Sequence, residues 1–177
     1  MTDSLGFLSV RRHPEHGYFG GYLITNQIAR PLEFHCTMPV KPSRAQTLLY
    51  GPTIDAFVCG EQIAKALVSK AKVKPSVVLT DCAAVLALST VCSVSAALLQ
   101  FEPESETSNF HSPQGSPGEL LRLRIELWNL SILASQPELE ATIVDCLSQL
   151  GSNFDLTEPF QRVVDALLEA HPIAKAA

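Results

Sequence analysis

The stretch Ser76–Leu88, SVVLTDCAAVLAL, constrains the fold more than any other part of the chain. Val77, Val78 and Leu79 run without alternation after Pro75, which marks a strand buried on both faces. Asp81 follows where a helix N-cap belongs, and the apolar run Cys82–Leu88 supplies a brief helix. Val94–Phe101 then reads as a second apolar strand. A short crossover between two such strands predicts a parallel pair, right-handed if both share one sheet. Strands covered on both faces need helices above and below, so the chain is expected to be α/β.

The segments before this unit complete the layout. Leu5–Val10, Tyr18–Thr25 and Pro31–Val40 read as strands, separated by the polar turn RRHPEHG and by Asn26–Arg30. Such short connections predict an antiparallel meander. Three prolines, Pro39, Pro42 and Pro52, break the pattern, and Ser43 caps a short helical turn ending at Gly51. Residues 53–71 read as a helix with Ala56, Cys59, Ile63, Ala66 and Leu67 on one side. Residues 1–101 therefore read as an α/β core with a mixed sheet in the order βββαβαβ. Residues 102–118, rich in Pro, Gly and Ser, read as a flexible linker.

Residues 119–177 read as a helical segment packing on the core or on a partner. Ser116-Pro117-Gly118-Glu119 has capping-box spacing, and Leu121, Ile125, Trp128 and Ile132 continue at helical spacing. LRLRIEL also alternates as a strand does, so residues 119–134 stay open between the two, with helix preferred. Pro137–Leu150 and Glu158–Ala170 each carry an apolar stripe, the second through Phe160, Val163, Val164 and Leu167.

Composition narrows the function classes. A hydrophobic fraction of 46% points to a globular core, and a net charge of −5 argues against general nucleic-acid binding. The five cysteines are spread out and lack any C-x-x-C pair, the usage of a reduced chain. The N-terminus has its acidic residue before, and its arginines after, a short apolar run, unlike a signal peptide. Cys82–Leu99 carries no charge, but Ser89, Thr90, Ser93 and Ser95 interrupt it as a turn would. A soluble cytoplasmic protein is the expectation.

Two further features carry a family resemblance. Gly20-Gly21-Tyr22 opens the second strand, and VVLTDCAAVLAL ends its strand in an aspartate before a short helix. With the element order, they resemble the ribonuclease H-like superfamily over residues 5–101. That resemblance implies metal-dependent phosphodiester cleavage, for which several carboxylates must gather about divalent cations. It places Asp81 as the fourth-strand aspartate and Glu61 as the helix glutamate. The first strand, LGFLSVRR, carries no carboxylate where the family has one. Glu61 also lies beside Lys65 at a spacing that favours a surface ion pair.

Other candidates come from residue type alone. His13, His16 and His35 are the candidate zinc ligands, although their spacing matches no zinc motif. Cys82, in the first turn of a helix, is the best-placed thiol, in apolar surroundings that favour an inert side chain. Lys65, Lys70, Lys72 and Lys74 with Arg11 and Arg12 are candidates for one positive face. Arg44, Gln46 and Tyr50 project from the proline-bounded segment as a candidate partner surface. With so sparse a chemical inventory, the leading expectation is a non-catalytic binding or assembly module. It would need no cofactor and would take a protein partner or a second copy of itself. The alternative is a divergent metal-dependent nuclease using Asp81 and Glu61. Asp81 itself is read first as a helix cap.

Overall fold

The computed structural model describes residues 4–101, 110–113 and 115–172. Its centre is a seven-stranded mixed sheet. Strands β1 (Ser4–His13), β2 (Gly17–Asn26) and β3 (Pro31–Cys36) form the expected antiparallel meander. β4 (Val77–Thr80) lies parallel to β1, and β5 (Ala96–Gln100) lies parallel to β4. All four residues of β4 are buried, as a strand covered on both faces requires.

The remaining two strands correct the sequence reading. Residues 119–134 are not helical: β6 (Leu120–Ile125) and β7 (Trp128–Leu133) make an antiparallel hairpin. β7 pairs with β5, giving the order β3-β2-β1-β4-β5-β7-β6. The alternation of LRLRIEL therefore outweighs its helical spacing. Leu123 and Ile125 turn inward while Arg122 and Arg124 stay exposed.

Helices cover both faces. One cluster joins Val10, Tyr22 and Ile24 of the sheet to Val58, Ile63, Leu67 and Val85. The other joins Phe7, Leu23 and Leu99 to α4 (Leu139–Ser148) and α5 (Glu158–Ala170) through Ile143, Phe160, Val163 and Leu167. Gly20 and Gly21 fix both contacts, since consecutive residues of β2 face opposite layers. A Cβ at Gly20 would lie 2.2 Å from Ile63 Cγ2, and one at Gly21 would lie 2.7 Å from Val163 Cγ1. Only hydrogen at these positions lets both helical layers reach the strand.

The helix expected over residues 53–71 differs in its winding. A short 3₁₀ turn, Gly51–Thr53, leads to a π-helix, Ala56–Ala64, that passes into α2 (Lys65–Lys70). The Lys65 N–H donates to the Gly60 carbonyl, five residues back. This wider winding shifts the buried face to Val58, Cys59, Gly60, Ile63 and Ala64. Ala66, expected inside, is exposed as a result.

Residues 82–99, which carry no charge, divide into a 3₁₀ turn Ala83–Ala87, α3 (Leu88–Val91) and most of β5. Among the described residues no helix is long and apolar enough to cross a membrane. Of the expected linker, residues 102–109 lie outside the described residues. Its later part is docked: Phe110 is buried against Phe19, and His111 exchanges backbone hydrogen bonds with Arg12.

Candidate functional site

Asp81 leaves the C-terminal end of β4, one residue past the pairing of Leu8 with Thr80. Its neighbours across the sheet are therefore Ser9 and Arg11, which share one face of β1. The Ser9 hydroxyl donates to Asp81 Oδ1 at 2.8 Å, and Arg11 Nη2 contacts Oδ2 at 2.5 Å. Arg11 Nη1 closes the ring by donating to Ser9 Oγ at 2.8 Å. The Arg11 and Asp81 side chains are only 12% and 5% exposed, so the pair is largely withdrawn from water.

This corrects the capping reading of Asp81. The following 3₁₀ turn has Cys82 at its N-cap position and no side-chain cap. Thr80 Oγ1 instead accepts the Cys82 N–H at 3.1 Å. Asp81 is a charge partner within the sheet. The guanidinium supplies the positive charge and the hydrogen-bond donors that a buried carboxylate requires. Glu61 lies on the exposed side of the π-helix. Among the described residues no three His, Cys, Asp or Glu side chains are arranged to hold a metal ion.

The candidate zinc ligands fall into two places. The His13 and His16 rings lie against each other, tilted by 31°, with centroids 4.6 Å apart. His13 is buried at the end of β1, not exposed in a turn, because β1 runs on through Arg11 and Arg12. Its Nδ1 accepts the backbone N–H groups of Glu15 and His16. His35 contacts Glu33 at 2.5 Å through Nε2. His13 stands opposite Gly17 and His35 opposite Tyr22, so roughly 17 Å of strand separates them.

Cys82 is fully buried and its Sγ lies 3.9 Å from the Pro113 carbonyl. The neighbouring Cys59 thiol is pushed up first by its hydrogen bond with Cys82 and then by burial. Both behave as core side chains, not nucleophiles. The candidate positive face also divides. Arg11 and Arg12 end β1, whereas Ser76 pairs with Ser4 where β1 begins, so Lys72 and Lys74 lie near the opposite end. Lys74 Nζ donates to the Val68 carbonyl.

The proline-bounded segment forms α1 (Arg44–Tyr50), a helix with no buried residue. Isolated helices of this length are unstable in water, so other contacts must hold it. Ser43 and Gln46 make a full capping box, with Gln46 N to Ser43 Oγ at 3.1 Å and Ser43 N to Gln46 Oε1 at 2.9 Å. At the other end the Gly51 N–H donates to the Thr47 carbonyl, and Tyr50 stacks on Phe57 with centroids 3.9 Å apart. Of the three candidate partner residues, Gln46 thus caps the helix, Tyr50 anchors it and Arg44 remains exposed. What the sequence reading missed is Leu48 and Leu49, 71% and 85% exposed. The available signal was a pair of adjacent leucines in a helix too short to bury both.

Asp55 was also missed. It accepts from the Tyr18 hydroxyl at 2.6 Å and from the Gly115 N–H at 3.2 Å, tying residue 115 to the core. Burial and then this Asp55 contact push the Tyr18 phenol up. Comparison of the chain with protein-family models, with curated proteins and with solved structures finds no match.

Proposed function

We propose that this chain is a non-catalytic binding module of ribonuclease H-like architecture, engaging a protein partner through α1. The observation that carries the reading is the preformed helix with Leu48 and Leu49 directed into solvent. Fully burying one leucine contributes about 1.5–3 kcal/mol, so a partner that covers both gains a useful share of a binding energy. The helix is already ordered by its caps, which lowers the entropic cost of docking. Arg44, exposed on the same helix, favours an apolar cleft rimmed by carboxylates.

The antiparallel meander followed by two parallel strands supports the architectural part of the reading. The Arg11–Asp81 pair supports the non-catalytic part, because a guanidinium stands beside the carboxylate where metal chemistry calls for a second acid. Five free thiols fit action in a reducing compartment such as the cytoplasm.

The test uses the full chain carrying a photo-crosslinker at position 49. Cross-linked protein is identified, purified and titrated against wild type and Leu48→Glu/Leu49→Glu, and sedimentation velocity measures self-association of both. The reading expects saturable binding, to a partner or to a second copy, that weakens at least about tenfold in the variant. Equal binding and equal sedimentation by wild type and variant would overturn it.

A further inference from the structure

A second surface lies at the β6 edge of the sheet. There β5, β7 and β6 present a face that is only partly covered. Pairing places Arg124 opposite Asn129 and Asn129 opposite Gln100, so these three side chains form a row across three strands. The next row on the same face is Arg122, Ser131 and Leu98. Beyond it Leu120, Leu133 and Ala96 are covered by Leu86 and Ala83. One end of the face is thus apolar and closed, and the other is polar and open. The open end is a cleft of about 310 Å³ lined by Gln100, Arg122, Arg124 and Asn129, together with Leu123 and Leu130, whose side chains belong to the core on the other face.

The charge in this cleft finds no counter-charge among the described residues. Arg122 and Arg124 form no ion pair among the described residues, although the chain as a whole carries a net charge of −5. Two like charges two residues apart on a strand stand roughly 7 Å from each other and repel. Beside them the Ser131 hydroxyl is fully buried and finds no hydrogen-bond partner among the described residues. The polar side chains that line this end, Arg122, Arg124, Asn129 and Gln100, can all present N–H donors.

We propose that this cleft binds a phosphomonoester group. Arginines two residues apart on a strand have the reach to bring both guanidinium forks to one tetrahedral oxyanion, each offering a pair of N–H donors to a pair of oxygens. A single carboxylate, with one negative charge, balances only one of the two arginines. The amides of Asn129 and Gln100 supply further donors from the neighbouring strands. A dianion balances both arginines, which a phosphodiester, with its single charge, does not.

The experiment titrates the full ¹⁵N-labelled chain with inorganic phosphate at constant ionic strength, with dimethyl phosphate as the singly charged comparison. A phosphoserine peptide and phosphoserine itself distinguish a phosphorylated protein from a small phosphorylated metabolite as the source. Saturable shifts confined to residues 98–100, 122–124 and 129–131 are expected, weakened at least about tenfold in Arg122→Gln/Arg124→Gln. Both arginines are exposed, and Asn129→Ala, which leaves the charges in place, is expected to weaken binding about threefold. Phosphate shifts elsewhere in the chain, undiminished binding by the double variant, or tighter binding of dimethyl phosphate or a single-stranded oligonucleotide would overturn the proposal.

Discussion

Removing Arg11 tests the interpretation of Asp81 most severely. In Arg11→Met the methionine keeps most of the aliphatic stem but leaves the Asp81 carboxylate, 5% exposed, without its counter-charge. The Ser9 hydroxyl still donates to Oδ1, so one hydrogen bond survives. Stripping one partner from a buried ion pair costs about 3–5 kcal/mol, because the remaining charge has lost both attraction and water. For a chain of this size, that is a fall in Tm of about 6–20 °C. The reverse single change, Asp81→Leu, strands the guanidinium and is expected to cost a similar amount. The double variant removes both charges together and is expected to recover most of the loss, since the desolvation cost also disappears. Urea unfolding followed by far-ultraviolet circular dichroism and Trp128 fluorescence measures all four corners of the cycle. A penalty below about 1 kcal/mol for Arg11→Met, or penalties that simply add in the double variant, would refute the pairing as a buried, mutually dependent unit.

Three other outcomes follow from the same structure. Gly20→Ala puts a methyl group 2.2 Å from Ile63 Cγ2, so it is expected to destabilise by about 1–3 kcal/mol and to be partly rescued by Ile63→Ala; failure of the rescue in thermal unfolding would place the clash elsewhere. Glu33 is held down to about 2 by the backbone N–H groups of Val73 and Lys72 and by His35, so its contribution is complete above its ordinary 4.5 and fades as pH falls toward 2. The stability difference between wild type and Glu33→Gln should shrink across that window, and a constant difference would contradict the assignment. Thiol labelling of the native chain should reach exposed Cys36 first, while buried Cys59 and Cys82 react only at the rate of unfolding; early reaction at Cys82 would contradict its burial.

The strongly patterned parts of the chain were legible beforehand. The apolar runs of β4 and β5, the cap at Ser43 and the stripe of α5 each repeat one physical signal over several residues. The β6–β7 hairpin was obscured by its turn. Glu126 takes φ 52°, a left-handed conformation that hairpins usually announce with glycine or asparagine. Without that mark, leucines and isoleucines at helical spacing outweighed the alternation. The π-winding of residues 56–64 left no trace in the sequence, and it moved Ala66 outward. Asp81 was misread for a different reason. An aspartate before an apolar run is a common cap, and its true partners, Ser9 and Arg11, lie about seventy residues away in the chain. Long-range pairing across a sheet cannot be read from local pattern.

Manganese titration of the wild-type chain, read as paramagnetic broadening of backbone amides, tests most directly whether this domain binds or cleaves. With Arg11 in contact with the Asp81 carboxylate, amides of residues 9–11 and 80–82 should broaden no more than the rest of the surface, and a single-stranded oligonucleotide should stay intact. Selective broadening of those amides, together with cleavage abolished by Asp81→Asn, would contradict the account.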